Sequence, residues 1–140
     1  MRATLREDHK LDEVSAALER RLRAFNEAAA GPLHRKPVVL TVRSDAGTLL
    51  GGLVGEIYWN AVYIQHLWVD EAHRRQGYGA ALLQAAEDAA RSESCDVAYL
   101  STFDFQAQRF YETHGYAVFG ELPDVPPGSR RQWFRKALAP

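Results

Sequence analysis

One cysteine, one methionine and no long apolar run characterise this 140-residue chain by what they exclude. The single Cys95 forms no internal disulfide, which fits a reducing compartment and makes the cytoplasm the expected location. No stretch approaches the roughly 20 apolar residues that span a bilayer, and Met1 to Lys10 is too polar for a signal peptide. Lys and Arg total 17 against 18 Asp and Glu, a formal net charge of −1, so no global basic field draws in nucleic acid or an anionic membrane. Neither is an expected partner. His9, His34, His66, His73 and His114 are scattered without ligand spacing, and no metal is expected. Repeats and low-complexity tracts are also missing, which leaves one domain over residues 1–140.

What is present is a succession of helix and strand patterns. Residues 2–6 read weakly as an edge strand. Asp8 then offers an N-cap, and Leu11, Val14, Leu18, Leu22 and Phe25 recur at three- and four-residue steps along one helix face that ends before Gly31-Pro32. Pro37 to Val42 and Thr48 to Trp59 read as a hairpin turning at Ser44-Asp45-Ala46-Gly47. Gly51, Gly52 and Gly55 in its second strand point to a bulge or a close backbone approach. A further strand ends at Val69, a helix follows to about Arg91, and Val97 to Thr102 is strand again. A helix from near Phe105 stops at Gly115, and Tyr116 to Phe119 resumes as strand. The proline-rich segment 123–129 is a surface loop before a last strand over Arg130 to Leu138. This order predicts an α/β fold, a mixed sheet with helices on its faces.

Between the strand ending at Val69 and the helix after it lies His73-Arg74-Arg75-Gln76-Gly77-Tyr78-Gly79-Ala80. The first turn of a helix carries backbone N–H groups without intrahelical partners and the positive end of the macrodipole. Gly77 and Gly79 lack a Cβ, so a phosphate can reach the main chain there, and Arg74 and Arg75 add positive charge. A pyrophosphate fits this loop. It is not a nucleoside-triphosphate P-loop, because no Gly-Lys-Ser/Thr follows, and it lacks the three glycines of a dinucleotide fingerprint.

Val69-Asp70, then Arg74-Arg75-Gln76-Gly77-Tyr78-Gly79, resembles the signature loop of the GNAT superfamily of acyl-CoA N-acyltransferases. Phe110-Tyr111 followed by Gly115-Tyr116 resembles the helix-to-strand segment of the same family, and Thr102 to Ala107 before it adds weight. The two segments are independent in sequence. The resemblance covers roughly Thr48 to Leu138 and implies a mostly antiparallel central sheet with helices on both faces and two central strands that splay apart. It implies acetyl-CoA as cosubstrate and an amine as acceptor, and with no strongly acidic cleft to suggest a polyamine or a basic tail, a small-molecule amine is the expected one. Main-chain groups of Leu67, Trp68 and Val69 would meet the pantetheine arm and thioester, and Arg74, Arg75, Gln76, Gly77, Tyr78, Gly79 and Ala80 would hold the pyrophosphate. Backbone recognition of this kind needs glycines more than particular side chains.

The implied reaction is direct acyl transfer, with Tyr111 as proton donor to the departing thiolate. An alkyl ammonium with a pKa near about 10 must lose its proton first. Family members that carry a glutamate or histidine base do so at positions that here fall on Tyr63 and Gln65, neither a good base. Glu56, among apolar and aromatic neighbours, is the first-ranked base, with His66, Asp70 or a water chain as alternatives. Strict alternation would put His66 on the face opposite Tyr63, unless a bulge resets the phase. Asp104 reads as an N-cap and Cys95 as a buried small hydrophobe. Tyr58, Trp59, Tyr63 and Trp68, with Phe25 and Asn26, are candidates for an aromatic acceptor mouth. A homodimer paired through an exposed last strand is also open. The alternative to an enzyme is a CoA-binding sensor that has lost turnover.

Overall fold

The computed structural model describes residues 2–138, which divide into two compact units with the boundary between Leu33 and His34. The first contains α1 (Leu11–Ala30), whose apolar stripe follows the expected spacing. Lys10 rather than Asp8 is its N-cap, because the Asp8 carboxylate accepts from the Lys10 N–H at 2.9 Å, just outside the helix. Gly31 ends it at φ +90°, its N–H bonded to the Glu27 carbonyl. Residues 2–6 form no strand, since nothing in the pattern supplies a ladder partner.

The second unit is a six-stranded sheet in the order β1-β2-β3-β4-β6-β5, built from β1 (Lys36–Arg43), β2 (Leu49–Tyr58), β3 (Ala61–Val69), β4 (Val97–Phe103), β5 (Ala117–Pro123) and β6 (Arg130–Ala137). All neighbours are antiparallel except β3 and β4, which run parallel because α2 (Tyr78–Ser92) crosses between them. The last strand is therefore interior, between β4 and β5, and the expected pairing through β6 across a two-fold axis has no edge to use. β1 and β5 are the edges.

The core lies under α2. Leu82, Leu83, Ala86 and Ala90 pack on the inward residues of β2, β3 and β4, with Leu53, Ile57, Val62, Leu100 and Phe134 essentially inaccessible to water. Each such side chain contributes roughly 1.5–3 kcal/mol of burial. The short α3 (Gln108–Thr113) joins the same layer through Tyr111, against Phe134 of β6 at 6.0 Å between ring centroids. Within this unit α2 and α3 thus share one face of the sheet. A buried carboxylate, Glu87 of α2, ties the layer together by accepting from Tyr116 Oη at 2.9 Å and Lys136 Nζ at 2.7 Å.

Two departures from regular sheet position the site. The β2–β3 register slips between Val54/His66 and Gly55/Ile64, so Gln65 is an extra residue in β3. A Cβ on Gly55 would stand 2.7 Å from the Tyr63 carbonyl oxygen, which explains the glycine beside that bulge. The second departure is that β3 and β4 pair only from Ala61/Val97 to Ile64/Leu100. Beyond Ile64 they diverge.

Candidate active site

The divergence opens a cleft of 890 Å³ between the second half of β3 and the end of β4, with α3 below and the start of α2 at its mouth. Along this stretch the β4-facing main-chain groups of β3 have no ladder partner, so an extended ligand arm can substitute for a strand. Leu67, Trp68 and Val69 line the cleft from β3, and Arg74, Arg75, Gly77, Tyr78, Gly79 and Ala80 line it from the loop and helix start. Gln76, the remaining residue of that loop, does not line it.

The loop geometry favours an anion. Arg75 and Gly77 both take left-handed backbone conformations, at φ +64° and +85°, on either side of Gln76, the kind of turn from which anion-binding concavities are built. Gly77 is the N-cap of α2, and no side chain caps the helix, so its first N–H groups are left for a ligand. Arg74 is already engaged. Its Nε donates to the Val69 carbonyl at 2.8 Å, and its guanidinium lies 4.5 Å from the Trp68 ring centroid. Trp68 Nε1 in turn donates to Asp70 at 3.0 Å. Arg74 therefore braces the strand-to-loop corner and removes one carbonyl from those open to a ligand, while its charge remains at the cleft mouth.

Tyr111 reaches the cleft from α3. Its ring is 6% exposed, wedged among Phe110, Tyr116 and Phe134, and burial pushes its phenol up to about 12. The hydroxyl is accordingly protonated across any physiological pH, and among the described residues it makes no hydrogen bond.

The base candidates separate. Glu56 lies outside the cleft, half-buried, with its two carboxylate oxygens held by Arg35 at 2.8 and 3.1 Å. The apolar surroundings expected for it are replaced by an ion pair. His66 lines the cleft, and the bulge at Gln65 gives it a register opposite Val54, on the same face as Tyr63 and Glu56. Strict alternation would have put it on the other face. Asp70 bonds Trp68, and Asp104 does not cap α3, whose N-cap is Ala107. Instead Asp104 faces Arg130 at 3.6 Å. Cys95 is buried, which raises its thiol above the ordinary value and keeps it inert.

Of the aromatic mouth, Tyr58 and Tyr63 share the sheet face away from α2, whereas Trp59 forms the β2–β3 turn at φ +46° and Phe25 and Asn26 lie in the C-terminal half of α1. The sequence reading missed the neighbours that β4 and β6 add to that face. Tyr63 stacks on Tyr99 at 4.9 Å, and Tyr99 exchanges a hydrogen bond with Tyr58. Ser101 and Phe103 continue the same face of β4 beside Arg131 and Trp133 of β6. The i, i+2 spacing of Tyr99-Ser101-Phe103 and Arg131-Trp133 was the available signal, but only the insertion of β6 beside β4 brings them together.

A splayed parallel pair, a glycine-started helix and a buried tyrosine on the following helix occur together here, and the model of the acetyltransferase (GNAT) family matches residues 2–116. The chain belongs to the GNAT acetyltransferase family. It is similar to an acetyltransferase of Agrobacterium fabrum, 36% identical over 89% of this chain and 90% of that one. It is also similar to the blasticidin-S acetyltransferase of Streptomyces morookaense, 41% identical over 84% of this chain and 85% of its relative. Among solved structures, a Bacillus cereus acetyltransferase superposes with a TM-score of 0.86 at 29% identity, covering 96% of this chain and 97% of that one.

This GNAT enzyme is an acyl-CoA-dependent N-acetyltransferase with acetyl-CoA as cosubstrate. The cleft suits that donor, offering unpaired strand edges for an amide-bearing arm, uncapped N–H groups for phosphates and a volume in the ordinary range for a ligand site. No group of three or more His, Cys, Asp or Glu among the described residues is arranged to hold a metal, and no helix among them is long and apolar enough to cross a membrane.

Proposed function

We propose that this enzyme acetylates a primary amine on a small-molecule acceptor by direct attack, as one functional domain over its whole length. The observation that carries the reading is the convergence of the α2 start, the freed edge of β3 and Tyr111 on one cleft. The relative named for blasticidin S supports a small molecule as acceptor.

Bound acetyl-CoA supplies an acyl group activated as a thioester. Around it, the N–H groups from Arg75 to Ala80 neutralise phosphate charge, and the open main chain of Leu67 to Val69 holds the arm in extended form. A β3 N–H facing the acyl oxygen stabilises the negative charge that develops there. Tyr111 donates a hydrogen bond to the leaving sulfur. A phenol held near 12 gives up its proton only as charge builds on that sulfur, so it acts chiefly as a donor in the transition state.

We assign proton removal from the amine to His66 ahead of Glu56. His66 lines the cleft on the face where an acceptor can approach, and a ring nitrogen of neutral imidazole carries a lone pair that can take the amine's proton. Glu56 would first have to leave Arg35.

The single buried cysteine supports a cytoplasmic setting. The reading includes a homodimer joined through a sheet edge, β1 or β5, and sedimentation velocity measures its mass directly. The central test is calorimetric titration with acetyl-CoA and CoA, followed by thiol release over a panel of amines. One-to-one micromolar binding with amine-dependent thiol release is the expected outcome. Binding without release for any amine would overturn the acceptor assignment.

A further inference from the structure

We propose that Arg131 is the acceptor-recognition residue of this enzyme and that it binds a carboxylate, making the acceptor an amine that also carries a carboxylate group. The inference rests on the acetyl-transfer reading above and adds the acceptor's chemical class.

Arg131 stands on β6 directly opposite Phe103 of β4, on the sheet face away from α2. Its Nε and Nη2 donate to Ser101 Oγ at 3.0 and 2.7 Å, and Ser101 lines the cleft. The guanidinium is thus one hydrogen bond away from the space where the β3–β4 divergence opens. It is also flanked by two aromatic rings, with centroids 5.0 Å away at Trp133 and 5.9 Å away at Phe103. Cation–π contacts of this kind hold the guanidinium in place without using its N–H donors.

The charge on Arg131 has no internal counterpart. Among the described residues no carboxylate comes within 4 Å of it, whereas Arg35 is paired with Glu56, Arg130 with Asp104 and Glu121, and Arg91 with Glu87 and Asp88. Glu56, the carboxylate that β2 contributes to the same face, is already taken by Arg35. A half-buried guanidinium held by a neutral serine and two rings is a poor stability device, because desolvation costs energy that no ion pair offsets. Of its five N–H bonds two go to Ser101, which leaves three for a ligand. A planar carboxylate matches that remaining edge.

The test uses matched acceptors that differ only in the carboxylate: 4-(aminomethyl)benzoate against benzylamine, L-phenylalanine against 2-phenylethylamine, and β-alanine against ethylamine. In the wild type at least one acid member should exceed its partner in kcat/KM by roughly 10- to 100-fold, the range of a charge-assisted hydrogen bond. Arg131→Gln should collapse the ratio to near one through KM, and Arg131→Lys should restore part of it. Titrating benzoate into the CoA-loaded protein should quench tryptophan fluorescence through Trp133, and Arg131→Gln should abolish that quench. Equal rates within every pair, or a preference unchanged in Arg131→Gln, would overturn the carboxylate assignment and leave acetyl transfer standing. Retained CoA binding with no turnover of any pair would overturn the small-amine reading itself.

Discussion

Replacing Tyr111 by Phe removes one oxygen and leaves the ring among Phe110, Tyr116 and Phe134. The hydroxyl makes no hydrogen bond among the described residues, so stability near neutral pH should change by no more than about 0.5 kcal/mol. Titrations with CoA should be unaffected, whereas kcat should fall by roughly a hundredfold, the lower end for an acid group that mainly donates a hydrogen bond. The same substitution has a second signature that is independent of turnover. Burial lifts the folded-state pKa from the ordinary 10 to about 12, which means the fold prefers the neutral phenol. That contribution is complete below pH 10, where folded and unfolded chains are both protonated, and is lost as pH rises through about 12. It amounts to about 3 kcal/mol in full and about 1.4 kcal/mol by pH 11. Urea titrations of both proteins from pH 8 to 11.5 should therefore show the wild type losing stability relative to Tyr111→Phe above pH 10. A parallel pair of curves would refute the burial, and an unchanged kcat would refute the acid role.

Gly79→Asp places its Cβ 3.4 Å from the Phe110 ring, an ordinary contact, and its carboxylate at the favourable end of the helix dipole, so the melting temperature should hold. A like charge about 4 Å from a phosphate costs about 4 kcal/mol, and calorimetry should find CoA affinity down at least a hundredfold. His66→Gln should lower kcat about tenfold or more, while Glu56→Gln leaves kcat nearly unchanged. The opposite pattern would return the base to Glu56. Glu87→Ala strands Tyr116 Oη and Lys136 Nζ and should cost about 3 kcal/mol in urea denaturation, with acetyl-CoA binding retained once the protein is folded.

The glycine loop was legible because it is local. The anion site proposed for it would use consecutive backbone groups, and Gly77 at φ +85° is a conformation that a residue without a Cβ announces in the sequence. The strands and helices from Lys36 to Ser92 were legible for a related reason, since alternation and three-to-four spacing encode which side of an element is buried. Tyr111 was singled out through its family segment, while its burial was decided by the packing around it.

What the sequence determined by itself was composition, element order and the glycine-containing turn ahead of α2, all properties of neighbouring residues. Only the tertiary structure decided the phase of β3, because the bulge at Gln65 depends on how β2 pairs across it, and that phase moved His66 onto the face that carries Tyr63 and Glu56. The sheet order likewise withdrew β6 from the edge and set Arg131 and Trp133 beside Ser101 and Phe103, some thirty residues earlier in the chain. Ion pairing turned Glu56 into the partner of Arg35, 21 residues away. In each case the deciding contact joins residues that no window of sequence holds together, and a side chain's chemistry follows from the partner that the fold brings to it.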